Sequence, residues 1–295
     1  MNDYHSIAEL FAAADAAGVS PGIIGCRQEA AEQEKDFDEV WQRMKAMIPI
    51  CRQAIEKGLA DREKSSSRLV GGDGAQLLEA ETVFLSPVLK RAAAYAIGTA
   101  EANAKMYRIV ACPTAGSCGI LPAVLAAVSE ERKVSANDIT RALFTAAAIG
   151  RVIAENACIA GAVGGCQAEC GTATSMAAAA CVDLLGGTTE QMGDAMALAL
   201  KNILGLACDP VGGLVEVPCV KRNGFHAVHA LLAVEMALAG IHSVIPPDDV
   251  IQAMDQIGKL MPVSLRETSL AGLAATPSGQ RIAADLQEKN KKHLV

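Results

Sequence analysis

Apolar residues recur along this chain at the three-to-four-residue interval of an α-helix, and no stretch alternates at the two-residue interval of a half-buried strand. The pattern predicts an amphipathic helix over residues 6–17 and a long one over 29–58. In the long one, Val40, Met44, Met47, Ile48 and Cys51 fall at helical spacing and Pro49 introduces a kink. Residues 61–76, which include SSSRLVGGDGAQ, are polar and glycine-rich and read as a loop and candidate lid. A helix is predicted from Pro87, whose ring suits a first turn, to Tyr107. A short helix follows from Ile120, and Ser135 with Asp138 resembles a capping box that opens a long one to about Ile159. An alanine-rich helix is expected over 172–185, and another from Thr188 and Gln191 to near Leu206. Residues 208–223 read as non-helical, helix resumes over 224–239, the last long helix opens at Pro247, and 289–295 read as a frayed basic tail.

Composition sharpens this into a fold class. Half of the chain is apolar (51%) but only 3% is aromatic, so the core is built from Ala, Leu, Val, Ile and Met. Those side chains allow helices to approach closely, and the expectation is an all-α, compact, alanine-rich multi-helix bundle with glycine-rich loops. No repeat and no linker divides it: residues 1–295 read as a single all-α domain, with 1–80 the more charged N-terminal part and 81–295 the core.

A formal charge of -7, with lysines and arginines scattered along the chain, leaves no basic track for nucleic acid. The positive mean hydropathy of +0.27 makes a membrane span worth testing. The longest uncharged run, 109–129, is long enough to cross a bilayer but contains Pro113, Gly116, Gly119 and Pro122, which suit a loop entering a helix. Asp3, His5, Glu9 and Asp15 break up any export signal at the start. The sequence reads as a soluble cytoplasmic protein with no membrane segment.

In that compartment ten cysteines are expected to stay reduced. Cys51, Cys158 and Cys181 lie in apolar helical stretches and read as small core residues. Six others fall in pairs within three glycine-rich segments: ACPTAGSCG (111–119), GAVGGCQAECG (161–171) and ACDPVGGLVEVPC (207–219). Glycine lets a backbone turn tightly and approach a ligand, and thiolates bind zinc and iron–sulfur clusters. Cys166 and Cys170 lie four apart and Cys208 and Cys219 eleven apart, unlike the paired C-x-x-C of structural zinc. A metal or cluster site is therefore one reading. A non-catalytic helical scaffold, its cysteines packed in the core or binding zinc, is the alternative. The GGDG string follows no strand, which argues against a pyridoxal-phosphate loop.

The strings PTAGSCGILPAVL (113–125), GGCQAECG (164–171), GLACDPVGGLVEVPCVKRN (205–223) and RETSLAGLAATPSG (266–279) resemble the alpha subunit of iron–sulfur-dependent L-serine dehydratase. VGGDG (70–74) and the spacing of EANAKMYRIVACPTAG (101–116) fit the same family, so the resemblance runs from Leu69 to Gly279. It implies a [4Fe-4S] cluster held by Cys166, Cys208 and Cys219, with Cys112, Cys118 and Cys170 outside the ligand set. It also implies conversion of L-serine to pyruvate and ammonia, with an iron lacking a protein ligand acting as Lewis acid on the serine hydroxyl.

Within that frame Thr114 and Ser117 are candidates to hold the substrate carboxylate, as an anion-binding nest would. Lys221 and Arg222 are candidates to pair with that carboxylate or to offset the cluster's charge, and Asn156 to add an amide; the plainer reading of each is a helix cap or a solvated charge. His226 and His229, at three-residue spacing, read as a packed or solvent-facing pair. None of the five histidines has the glycine-rich context of a catalytic base. The base is therefore expected from a separate beta subunit docking over the cysteine loops, with a homodimer as the alternative state of the isolated chain.

Overall fold

The computed structural model describes residues 3–293, and among them the chain is helical throughout, without a β-strand. Helix α1 (Ile7–Ala17) begins where the Ser6 hydroxyl accepts the Glu9 N–H and ends at Gly18, in the left-handed conformation that stops helices. Three helices replace the long one predicted over 29–58: α2 (Pro21–Glu32), α3 (Phe37–Lys45) and α4 (Met47–Ala60). Glu34, at φ 51°, turns the chain between the first two. Pro49 falls in the opening turn of α4, where a missing N–H breaks no hydrogen bond, so the break sits at Ala46 rather than at the proline.

The polar stretch after α4 ends at the short α5 (Asp73–Glu79), and α6 (Pro87–Ala104) follows a Ser86 cap. Next come α7 (Ile120–Arg132), longer than expected, and α8 (Ala136–Asn156), whose cap is Ser135. The second cysteine loop contains a single turn, α9 (Gly161–Gly164), and a π-helical turn, Gln167–Gly171, that runs into α10 (Thr172–Leu184). Helix α11 (Thr189–Lys201) opens at the predicted start with a capping box, Thr188 and Gln191 bonding each other's backbone N–H groups. Helix α12 (Cys219–Leu238) starts five residues before the predicted 224, and α13 (Pro247–Leu260) is not the last. After two 3-10 turns, α14 (Pro277–His293) adds a further helix that runs into the segment read as a tail; Leu294 and Val295 lie outside the described residues. No single helix among the described residues is long and apolar enough to cross a membrane.

Helix α10 lies at the centre, with α7, α8, α11 and α12 packed around it. All thirteen of its residues are buried, which requires small side chains on every face; Ala177, Ala178, Ala179 and Ala180 supply four in a row. The same economy of volume holds where α4 crosses α6: a Cβ built on Gly58 would stand 1.8 Å from the Gly98 carbonyl oxygen. Close backbone approach of this kind takes the place of the aromatic filling that the composition denies.

Candidate metal centre

The three cysteine loops meet because buried polar side chains tie them together. Gln167, fully buried, donates through Nε2 to the carbonyls of Gly164 and Met254, both at 3.0 Å, and accepts the Gly205 N–H at 2.8 Å. Its own N–H reaches the Leu206 carbonyl at 3.0 Å. One side chain thus fastens the second loop to the third and to α13. Asn223, also fully buried, does the same for the first loop. Its Oδ1 accepts the Gly119 N–H at 2.9 Å, and its Nδ2 donates to the carbonyls of Gly116 at 2.8 Å and Cys219 at 2.9 Å. Cys208 is held by the RETSL segment: its N–H donates to the Leu265 carbonyl at 2.8 Å, and its carbonyl accepts the Glu267 N–H at 2.7 Å. Leaving any of these buried groups unpaired would cost about 1–3 kcal/mol.

Four thiols converge in consequence. Cys166, just before the π-helical turn, and Cys170, within it, have their Sγ atoms 3.4 Å apart. Cys208 lies within hydrogen-bonding reach of Cys166, and Cys219, first residue of α12, is close enough to interact electrostatically with both. All four are buried and free of disulfides. Thiol hydrogen bonds from Cys170 and Cys208, followed by the nearby Arg222 guanidinium, hold Cys166 well below the ordinary thiol range. The donors Cys170 and Cys208 are raised correspondingly, and burial pushes Cys219 up to about 12. Such a group stores one thiolate and releases further protons when a cation replaces them. Arg222 is aimed at it by Nη1 donating to the Ala207 carbonyl at 2.9 Å and Nη2 to Asp209 at 3.1 Å. Asp209 in turn accepts the Leu273 N–H at 2.7 Å.

The other candidates are placed as follows. Thr114 and Ser117 share a hydroxyl–hydroxyl bond of 3.0 Å, and Thr114 also donates to the Glu169 carboxylate, so its proton is directed at an acid. Lys221 is ion-paired with Asp73 of the VGGDG loop. Asn156 closes α8, its Nδ2 donating to the carbonyls of Val152 at 2.9 Å and His5 at 2.8 Å. Cys112 and Cys118 are buried on the first loop, and desolvation raises both thiols. His229 packs as expected, its Nε2 3.0 Å from the Ala199 carbonyl oxygen. His226 is half-buried on the same helix as Cys219 and Arg222. Desolvation lowers it to about 4, against a smaller opposing pull from Cys166.

Sequence reasoning missed Glu169 and Glu267. Burial raises Glu169 to about 7, opposed by its bonds from Thr114 and the Gly116 N–H. Glycine keeps the space before it open. A Cβ on Gly116 would lie 2.5 Å from Glu169 Oε1, and one on Gly161 would lie 3.2 Å from Cys208 Sγ and 3.4 Å from both Glu169 Oε2 and Glu267 Oε2. Glu267 and Ser269 take left-handed φ values of 61° and 58°, a strain that non-glycine residues carry mainly at functional sites. An acidic residue inside a Gly/Cys loop was the available signal for Glu169.

Buried thiols, one of them stabilised as thiolate, an adjacent guanidinium and two backbone-restrained carboxylates form a donor set that fits a thiophilic metal centre. The ligand atoms of Cys166, Glu169 and Cys170 all lie within 4.8 Å of one another. A family model described as serine dehydratase alpha chain matches residues 22–274. The chain is 49% identical over 258 residues to the probable L-serine dehydratase, alpha chain, of Bacillus subtilis, with 86% of each chain covered. It is 40% identical over 261 residues to the L-serine dehydratase, alpha chain, of Peptoniphilus asaccharolyticus, covering 88% of this chain and 89% of that one. To L-serine dehydratase 1 of Escherichia coli it is 38% identical over 280 residues, using 92% of its own length but 61% of the relative's. With most of its length matched by the family model and by these relatives, this chain belongs to the serine dehydratase alpha chain family.

Proposed function

We propose that this chain is the cluster-bearing alpha subunit of an enzyme that deaminates L-serine to pyruvate and ammonia. The observation that carries the proposal is the convergence of Cys166 from the second glycine-rich segment, Cys208 from the third and Cys219 from the start of α12, beside Arg222. These three cysteines would hold a [4Fe-4S] cluster, with Cys170 behind Cys166 as a supporting thiol. When bound, the cluster supplies an iron with a vacant position, a Lewis acid that stabilises charge on the departing hydroxyl.

The chain's own residues do the rest. Arg222 neutralises thiolate charge and offers remaining guanidinium N–H groups to the substrate carboxylate. Thr114 and Ser117, with the backbone of the 113–117 loop, line the site beside Glu169, while Lys221 and Asn156 brace its margins through Asp73 and the His5 carbonyl. Removal of the Cα proton and loss of water leave aminoacrylate, which tautomerises and hydrolyses to pyruvate and ammonia.

The proton acceptor comes from a separate beta chain. The Escherichia coli relative, of which this chain covers 61%, carries further sequence in which a counterpart of such a beta chain is to be sought. Exposed Val163 on the second loop, and Leu260, Val263 and Leu270 on α13 and the segment after it, give such a chain an apolar landing. Ten free thiols suit a reducing cytoplasm. The test is iron and labile-sulfide analysis of anaerobically purified protein, followed by assay alone and with the beta chain. Iron and sulfide present, with turnover only in the mixture, is the expected result. Robust serine turnover by the reconstituted chain alone refutes the division of labour, and protein that takes up no iron refutes the cluster.

A further inference from the structure

Glu169 is a carboxylate the site has gone to some length to build. The π-helical turn Gln167–Gly171 carries it between Cys166 and Cys170, Thr114 and the Gly116 N–H donate to it, and glycines at 116 and 161 leave the space at its oxygens clear. Glu267 brings a second carboxylate to the same space, before Gly161 and beside Cys208. Among the described residues no lysine, arginine or histidine lies within salt-bridge distance of either acid, although Arg222 stands beside Cys166. Two acids and a thiolate gathered this closely repel one another, and a cation placed among them relieves the repulsion.

We infer that Glu169, flanked by Glu267, receives the α-ammonium group of the substrate. The inference rests on the reading of the site as one for L-serine, and it divides the substrate between two poles. The ammonium faces Glu169 and Glu267, and the carboxylate faces Arg222. Cys166 lies within reach of both Glu169 and Arg222. Thr114 acts through Glu169: its hydroxyl, bonded to Oε1 and to Ser117 Oγ, fixes the carboxylate's orientation. An α-amino group is then what distinguishes a substrate from an ordinary hydroxy acid.

The test uses the complete, iron-loaded enzyme with its beta chain and compares binding of L-alanine with binding of propionate, its analogue lacking the ammonium. Calorimetry on the wild type should show L-alanine favoured. Glu169→Gln should weaken L-alanine about 30-fold, the value of a charge-assisted hydrogen bond, and leave propionate within about 3-fold. Glu169→Asp should fall between, with KM for L-serine rising more than kcat falls. Iron content of both variants should equal that of the wild type. Equal weakening of both ligands, no weakening of either, or loss of iron in both variants overturns the assignment. Failure of the wild type itself to deaminate serine would instead overturn the functional reading on which it rests.

Discussion

The two halves of this molecule solve opposite problems with the same small residues. Around α10, alanines let five helices close on each other over a mostly apolar core, in which a few buried polar groups such as Ser175 and Asp183 are hydrogen-bonded. Around Cys166, glycines hold space open, and what fills it is polar: a glutamine, an asparagine, two carboxylates, an arginine and four thiols. The core gains from every atom it removes from water. The loop end keeps groups whose burial is unfavourable and balances them with directed hydrogen bonds such as those of Gln167 and Asn223. Stability and function are thereby separated in space, and substitutions should sort accordingly.

Cysteine provides the sharpest comparison, because it occurs in both regions. Cys181 is fully buried in α10 and desolvation pushes its thiol up to about 12, the mark of an inert packing residue. Cys181→Ser should lower stability by about 1–3 kcal/mol through burial of a hydroxyl, while leaving iron content and turnover near wild type. Cys166→Ser, Cys208→Ser and Cys219→Ser should each reduce serine deamination by about 100-fold or more and deplete iron, with smaller changes in thermal midpoint. Cys170→Ser tests the assignment within the group: retained iron places Cys170 behind the ligands. Iron loss on its replacement, with iron kept after changing one of the other three, would redraw the ligand set.

How far the sequence discloses each region follows from the range of the forces involved. Helical periodicity and caps act within one turn, so the all-α class, the Ser6, Ser135 and Thr188 starts and the positions of α1, α6, α8, α10 and α11 are readable from local pattern. The break at 33–36 escapes that logic because α2 and α3 keep helical spacing on both sides of it, and the turn depends on Glu34 accepting a left-handed φ. The early start of α12 escapes it because the polar run KRN serves the site: Arg222 and Asn223 are bonded to residues far away in sequence. The pairing of cysteines within glycine loops was legible as metal chemistry. The role of Glu169 was not, since its partners Thr114, Gly116 and Glu267 come from segments 53 to 98 residues away, as the numbering shows.

Acid should reveal the loop end before the core. Burial lowers His226 to about 4 from 6.5, so its neutral form belongs to the folded state. A base with a depressed folded value leaves the folded state fully favoured above 6.5, and stability is lost as pH falls from 6.5 toward 4. Glu169 has the opposite sign: raised to about 7 from 4.5, it stabilises fully below 4.5 and loses that contribution as pH rises through 7. The two largely offset each other in wild-type protein between pH 5 and 7. In iron-free protein, His226→Gln should gain about 1–2 kcal/mol relative to wild type on going from pH 7 to 5, after discounting for the ring's partial exposure. Glu169→Gln should lose a comparable amount over the same interval. Urea midpoints at the two pH values measure both, and parallel behaviour of the variants would show that neither group titrates in the way its burial requires.

The smallest effect expected is at the end of the core farthest in character from the thiols. Thr188 Oγ1 accepts the Gln191 N–H at 3.2 Å, while the Thr188 N–H donates to Gln191 Oε1 at 3.0 Å, so two of the four unpaired donors at the start of α11 are satisfied reciprocally. Thr188→Ala removes one of these bonds and loosens the other, at about 1 kcal/mol, which for a chain of this size lowers the thermal midpoint by about 2 °C. Besides the apolar packing of its buried face, helix α11 is bonded to the core through the Met196 carbonyl, which accepts the Ser175 hydroxyl at 3.0 Å, and through the Ala199 carbonyl beside His229. Neither contact reaches a thiol. Iron content, KM and kcat of the complete enzyme should therefore stay at wild-type values in Thr188→Ala while the melting curve moves. A fall in iron content with so slight a loss of stability would mean that α11 transmits strain through Ser175 to the start of α10 and the π-helical turn, and that the packed core and the open loops are one cooperative unit.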